Sequence, residues 1–163
     1  MPYQTNHNTY PATHQVPQSL LHKPVYAMPY EHFDGMYANK TDAIYLSIGI
    51  AQYDENAKEL SAKIMRNIGS QWSPQSEELP IHRPIDLSIL IAKVLFDRIN
   101  NNVEIRGGTY ISQKNEIILT QEPRTQAEIK VFQSWIQNNE SVIKERLNAL
   151  CDILNDLRRR NKI

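Results

Sequence analysis

Glu77, Glu78, His82 and Arg83 fall within seven residues of sequence and form the chain's densest group of chemistry-bearing side chains. A carboxylate beside a histidine is how a general acid–base pair is assembled. An arginine at a helix start, where backbone N–H groups lack partners, is how an anion is held. The same residue types also build an internal salt bridge, in which one glutamate is the anion for Arg83 and the group fixes the chain. From an extended backbone Glu77 and Glu78 point to opposite sides, so the spacing brings only one of them toward His82.

Two prolines set the frame for this group. Pro80 and Pro84 push the residues before them, Leu79 and Arg83, toward extended conformations, so residues 79–83 read as a rigid strap. Pro84 then suits the first position of a helix, and Asp86 falls in its first turn, where a carboxylate favours the positive end of the dipole. The helix is expected over residues 84–99. Its apolar residues, from Ile85 to Ile99, cover most of the circumference and leave a polar stripe of Asp86, Lys93 and Asp97. Such a helix belongs at the centre of a domain.

Further cations are available to join Arg83: Lys63, Arg66, Lys40 and Arg106. If they converged they would make a pocket for a phosphate or carboxylate, although nothing in their spacing brings them together. The candidate ligand-binding set is therefore His82, Arg83, Lys63, Arg66 and Glu78. No catalytic residue and no cofactor is assigned. His7, His14, His22, His32 and His82 show no metal-ligand spacing, so no metal is expected. Cys151 lies beside a run of heptad leucines and reads as a buried structural thiol. Phosphate-loop, dinucleotide and nucleophile-elbow signatures are absent from the sequence.

The elements that must hold these residues are legible in outline. Residues 1–19 are polar and punctuated by proline, and read as a flexible tail. Residues 20–163 form one domain, in which residues 20–42 are an irregular aromatic segment with a turn at Phe33-Asp34-Gly35. Residues 44–53 alternate, with Ile44, Leu46, Ile48 and Ile50 on one face, and residues 59–68 repeat the pattern, which predicts an antiparallel hairpin. The other face of that hairpin carries the small residues Ser47, Gly49 and Ala51 opposite Ser61, Lys63 and Met65. It is left open for another molecule or covered by a later part of the chain. A second hairpin is expected from residues 109–112 and 116–120. Thr125 and Glu128 make a capping box. Ile129, Ile136, Ile143, Leu150 and Leu157 then recur every seven residues, joined by Leu147 and Leu154, as in a helix packed on its own domain or on a second copy. Asn138-Asn139 and Ser141 mark a break into two helices. The fold class is α+β: an antiparallel sheet from two hairpins against a central hydrophobic helix and long C-terminal helices.

The string Tyr37-Ala38-Asn39-Lys40-Thr41-Asp42-Ala43, with LSIGIAQYD (residues 46–54), SAKIMR (61–66) and WSPQSEELPIHRPIDLSILI (72–91), resembles a family of small bacterial proteins defined only as a domain of unknown function. The resemblance covers residues 20–99. It implies a bacterial or phage-borne cytoplasmic protein and supplies no catalytic residue, and the N-terminal tail looks like an addition to the family pattern.

Balanced charge, 18 basic against 18 acidic residues, argues against nucleic acid, and no apolar stretch is long enough to span a bilayer. Arg158, Arg159 and Arg160 suit the negative end of a helix dipole. The first expectation is a cytoplasmic, non-enzymatic binding module whose partner is a protein, as in an immunity or neutralising role, or a second copy. The second is an anionic or nucleotide ligand at the start of the residue-84 helix, and the third a hydrolase using Glu77 or Glu78 with His82.

Overall fold

The computed structural model describes residues 10–53, 56, 58–73 and 81–163. Four antiparallel strands run in the order β1 (Lys23–Pro29), β2 (Ala43–Ile50), β3 (Leu60–Ile68) and β4 (Gln71–Trp72). The helix α1 (His82–Phe96) follows, then a small sheet of β5 (Arg98–Ile99), β6 (Asn102–Ile105) and β7 (Ile117–Leu119), and last the long helix α2 (Gln126–Arg159). The α+β class stands, with two sheets in place of one.

The β2–β3 hairpin has the register its alternation implies: Tyr45 lies opposite Met65, Ser47 opposite Lys63 and Gly49 opposite Ser61. One residue departs from the pattern. A bulge between Ala43 and Tyr45 turns Ile44 onto the face of Tyr45 and Met65, away from Leu46, Ile48 and Ile50. The irregular segment expected before it contains an edge strand instead. β1 tolerates Pro24 and Pro29 because each lies near an end of a strand with only one neighbour.

The second hairpin also differs from expectation. β7 pairs with β6, not with residues 109–112, and β6 pairs with β5 through Asn100 and Asn101, at φ 52° and 63°. Two residues with positive φ are what a two-residue hairpin turn needs, and asparagine is among the few that adopt them. The helix therefore ends at Phe96, not at Ile99.

The main core lies between the four-stranded sheet, α1, the first half of α2 and the small sheet. Leu46, Ile48, Ile50 and Ile64 meet Leu90, Val94, Val103, Ile117 and Phe132 there. α1 is less enclosed than its composition implies: Leu90 and Val94 are buried while Ile85 stays exposed. The other face of the sheet is covered too, mostly by residues that precede it. Ala12, Val16 and Leu20, with Trp72, pack on Ala27, Ile44, Tyr45 and Met65. The Tyr45 hydroxyl donates to the His14 carbonyl at 2.6 Å, and Thr13 donates through both its N–H and its hydroxyl to Glu31. Of the segment read as a tail, residues 10–19 are thus placed against the sheet, and residues 1–9 lie outside the described part.

Gly49 shows how closely β1 approaches β2. A Cβ there would stand 2.1 Å from the Lys23 carbonyl oxygen and 2.8 Å from the Pro24 Cα, both backbone atoms of β1. Gly49→Ala must push β1 off β2. Its expected cost is about 1–3 kcal/mol or more, measurable by urea denaturation.

α2 runs without interruption through Asn138-Asn139, started by the expected capping box, in which Thr125 and Glu128 satisfy each other's backbone N–H. Neither asparagine breaks it, because the Asn139 side chain donates to the Trp135 carbonyl one turn back. Among the described residues no helix is long and apolar enough to cross a membrane.

Candidate functional site

The polar centre of the molecule is Asp34. Its side chain is fully buried and takes hydrogen bonds from two residues of the first turn of α1. His82 Nε2 lies 2.7 Å from Asp34 Oδ1. Arg83 donates through Nε to Oδ1 at 3.0 Å and through Nη2 to Oδ2 at 2.7 Å, a bidentate pair. The same Nη2 reaches Thr41 Oγ1 at 3.1 Å. Burial raises the Asp34 pKa, but hydrogen bonds from Arg83, Thr41 and His82 and the Arg83 charge outweigh it and hold the carboxyl below its usual range.

The chain geometry makes this meeting possible. Gly35, at φ +52°, takes a left-handed turn directly after Asp34, and the His82 ring lies about 3.2 Å from where its Cβ would be. Only glycine gives both the turn and the space. Tyr37 completes the cluster, its ring 5.9 Å from the Arg83 guanidinium and 6.1 Å from the His82 ring.

A second ion pair adjoins the first. Arg66 of β3 grips Asp42, with Nη2 2.5 Å from Oδ2 and Nε 3.0 Å from both oxygens. Tyr37, Lys40, Thr41, Asp42 and Arg83 together line a depression of about 370 Å³. Behind it the buried Tyr30 hydroxyl donates to Asp86 Oδ2 at 2.5 Å. Burial raises the Asp86 pKa against that hydrogen bond. Asp86 lies beyond the first turn of α1, so it acts as the acceptor for Tyr30 and not as a dipole partner.

Of the sequence-derived set, His82, Arg83 and Arg66 come together here, and Lys40 lines the same depression. Lys63 does not join them; it donates to Gln52 Oε1 at 2.8 Å, and burial lowers its pKa. Arg106 lines a separate depression of about 340 Å³ with Lys93, Asp97 and Glu104. Glu77, Glu78, Leu79 and Pro80 lie outside the described residues. His82 and Arg83 belong to the first turn of α1 and not to the strap before it, and Pro84 is the third helical residue, where its missing N–H still costs nothing.

Asp34, Thr41 and Asp42 were missed from sequence. Asp34 sits in a turn, where aspartate is ordinary, and its partners are 48 and 49 residues away. The buried His22 was missed as well. Its Nε2 lies 2.8 Å from Ser47 Oγ and its Nδ1 3.1 Å from Ser61 Oγ, so one ring spans the small-residue face of the hairpin. The cover comes mostly from earlier in the chain, with Trp72 added from beyond the hairpin.

The other exposed feature is the outer part of α2. Ile143 is its last residue packed on the core. Residues 144–159 continue for about 24 Å at 1.5 Å per residue and leave Leu150, Ile153 and Leu154 at 43%, 60% and 39% exposure. Cys151, expected to be buried, is exposed because this stretch has no partner among the described residues.

A family model described as a family of unknown function (DUF6530) matches residues 14–159. That span includes α1, α2 and β1 to β7, well beyond the residues 20–99 that carry the resemblance. No curated protein and no solved structure matches the chain.

Proposed function

We propose that this chain, which belongs to the DUF6530 family, is a non-enzymatic binding module of a bacterial or phage-borne cytoplasmic protein, and that it engages a protein through the outer part of α2. The observation that carries this reading is the heptad of α2 persisting past its last core contact. Leu147, Leu150, Leu154 and Leu157 continue the spacing of Ile136 and Ile143 without packing on the core, Leu147 and Leu157 half-buried and Leu150 and Leu154 exposed. A folded chain gains nothing from such a stripe by itself, and leucines at a and d positions are what a helical partner packs against.

The cluster around Asp34 supports the same reading by what it lacks to offer. Arg83 and Arg66, the two cations best placed for an anionic ligand, are each taken by an aspartate in bidentate geometry. A second reading, an anionic small molecule in the depression beside Lys40 and Arg83, has the cavity in its favour and these two aspartates against it.

A photo-crosslinking side chain at position 153 tests the proposal in the native host, with position 152 on the opposite face as control. The expected result is a discrete adduct at 153 and none at 152, with a partner that rebinds the chain at fixed stoichiometry when both are purified. Equal labelling at the two positions, or none at either, overturns it.

A further inference from the structure

The ring of charge around the α2 stripe selects a kind of partner. We infer that the outer part of α2 takes an amphipathic helix whose apolar stripe is flanked by glutamates or aspartates, and not a second copy of this chain. The inference rests on the interaction reading above and adds the chemistry of the partner.

Four parallel rows along the helix carry the argument, each made of residues seven apart. Two central rows are apolar where they leave the core: Ile143, Leu150 and Leu157 in one, Leu147 and Leu154 in the other. One flanking row reads Arg146, Ile153, Arg160, and the other Lys144, Cys151, Arg158. Each flank is apolar at its middle and basic at both ends. The result is an oval apolar patch bounded by four cations, with Glu145, Asp152, Asp156 and Arg159 on the far side of the helix. Arg146 and Arg158 are exposed. Lys144 also meets Glu140 one turn back and lies 5.6 Å over the Phe96 ring, and Arg160 meets Asp156, in pairs whose side chains stay about half exposed.

Self-association leaves the flanking cations without acidic partners. In a parallel pair the flanking rows meet as Arg146 with Cys151 and Ile153 with Arg158, which joins no opposite charges. In an antiparallel pair that layers Leu150 of one copy on Leu154 of the other, Lys144 faces Arg158 and Arg146 faces Arg160, so every flanking charge meets its own sign. Flanking positions choose partner and orientation in helical pairs, and like charges there disfavour the pairing. A helix with acidic flanks satisfies all four cations and buries the same leucines.

The test uses the full chain and two synthetic 21-residue helices with leucine at a and d, one with glutamate at e and g and the other with lysine. The glutamate peptide should bind at least 100-fold more tightly than the lysine peptide, with affinity falling about tenfold or more in high salt. Arg146→Glu with Arg158→Glu should reverse the preference, and Leu150→Glu with Leu154→Glu should abolish binding of either peptide while leaving Tm unchanged. Equal binding of the two peptides, binding of neither, or preferential binding of the same face to phosphatidylserine vesicles overturns the inference. So does a homodimer in light scattering. That result leaves the interaction reading standing, whereas absence of the position-153 adduct removes both.

Discussion

Asp34→Ala will destabilise the protein by about 3–5 kcal/mol, a large share of the ~5–15 kcal/mol that holds a typical domain together. Asp34 is fully buried and Arg83 nearly so, with the guanidinium held by two hydrogen bonds to one carboxylate. Removing the carboxylate leaves a buried cation whose nearest remaining acceptor is the Thr41 hydroxyl. Water replaces a lost partner at a surface, but a desolvated guanidinium has no such substitute. His82→Ala removes a partner that is about a quarter exposed, so its cost should be nearer 1 kcal/mol.

A double-mutant cycle separates a structural lock from a ligand site. Arg83→Met should cost several kcal/mol alone, because it strands a buried anion, whereas Asp34→Ala with Arg83→Met should cost much less than the sum. A buried pair exchanged for apolar groups often recovers what either single change loses. Urea unfolding of the four proteins gives the coupling directly. Additive losses, or an Asp34→Ala protein as stable as the parent, would show that the pair does not hold α1 to the turn after β1.

The contrast between this cluster and the strands shows what a sequence discloses. The β2–β3 hairpin was legible because alternation is a local signal, repeated every two residues and imposed by one buried face. The capping box at Thr125 and Glu128 was legible because all its partners lie within one turn. The bulge at Ala43 and Tyr45 was not, since it depends on how β2 meets β3 and leaves no mark in the alternation. β1 was hidden by Pro24 and Pro29, which are signs against a strand except at an edge. Asn100 and Asn101 read equally well as the end of a helix and as a hairpin turn, and pairing with β6 decided between them.

Site residues divide in the same way. His82, Arg83 and Arg66 were legible by type, but the acids that claim them, Asp34 and Asp42, come from a segment that showed only turn chemistry. Lys63 was chosen by charge alone, and the register of β3 sends it to a different part of the sheet. The α2 heptad was visible, but where its core contact stops depends on the length of the domain beneath it. This also explains why a cysteine beside a leucine row is exposed.

His22 makes the second large prediction, a loss of stability as the solution is acidified from neutrality. Ser47 donates its hydroxyl to the Lys63 carbonyl at 3.2 Å, so its oxygen accepts from His22 Nε2–H, and Nδ1 is left to accept from Ser61. That is the neutral ring. Burial first, then the charges of Lys63 and Arg124, lower its pKa from 6.5 to about 4. Above pH 6.5 neither the folded nor the unfolded chain protonates His22, and its contribution is fully present. Below pH 6.5 the unfolded chain takes up a proton that the folded chain refuses, until the pH reaches about 4. At 1.36 kcal/mol per unit across that window, the loss is about 3 kcal/mol.

Other groups titrate nearby with the opposite sign. Asp86 and Glu122 have carboxyls raised by burial, so they favour the folded state as pH falls. Burial lowers His32, but hydrogen bonds to Pro11 and Asn39 prevail and raise it, a contribution that is present below 6.5 and lost at higher pH. The measurement is therefore a difference: urea unfolding of the parent and of His22→Gln at intervals from pH 7 to pH 4. Glutamine keeps a donor and an acceptor for the two serines but cannot titrate. The parent should lose stability relative to the variant steadily through the window and level off near pH 4, whereas parallel curves would mean that His22 accepts its proton as readily in the folded chain as in the unfolded one.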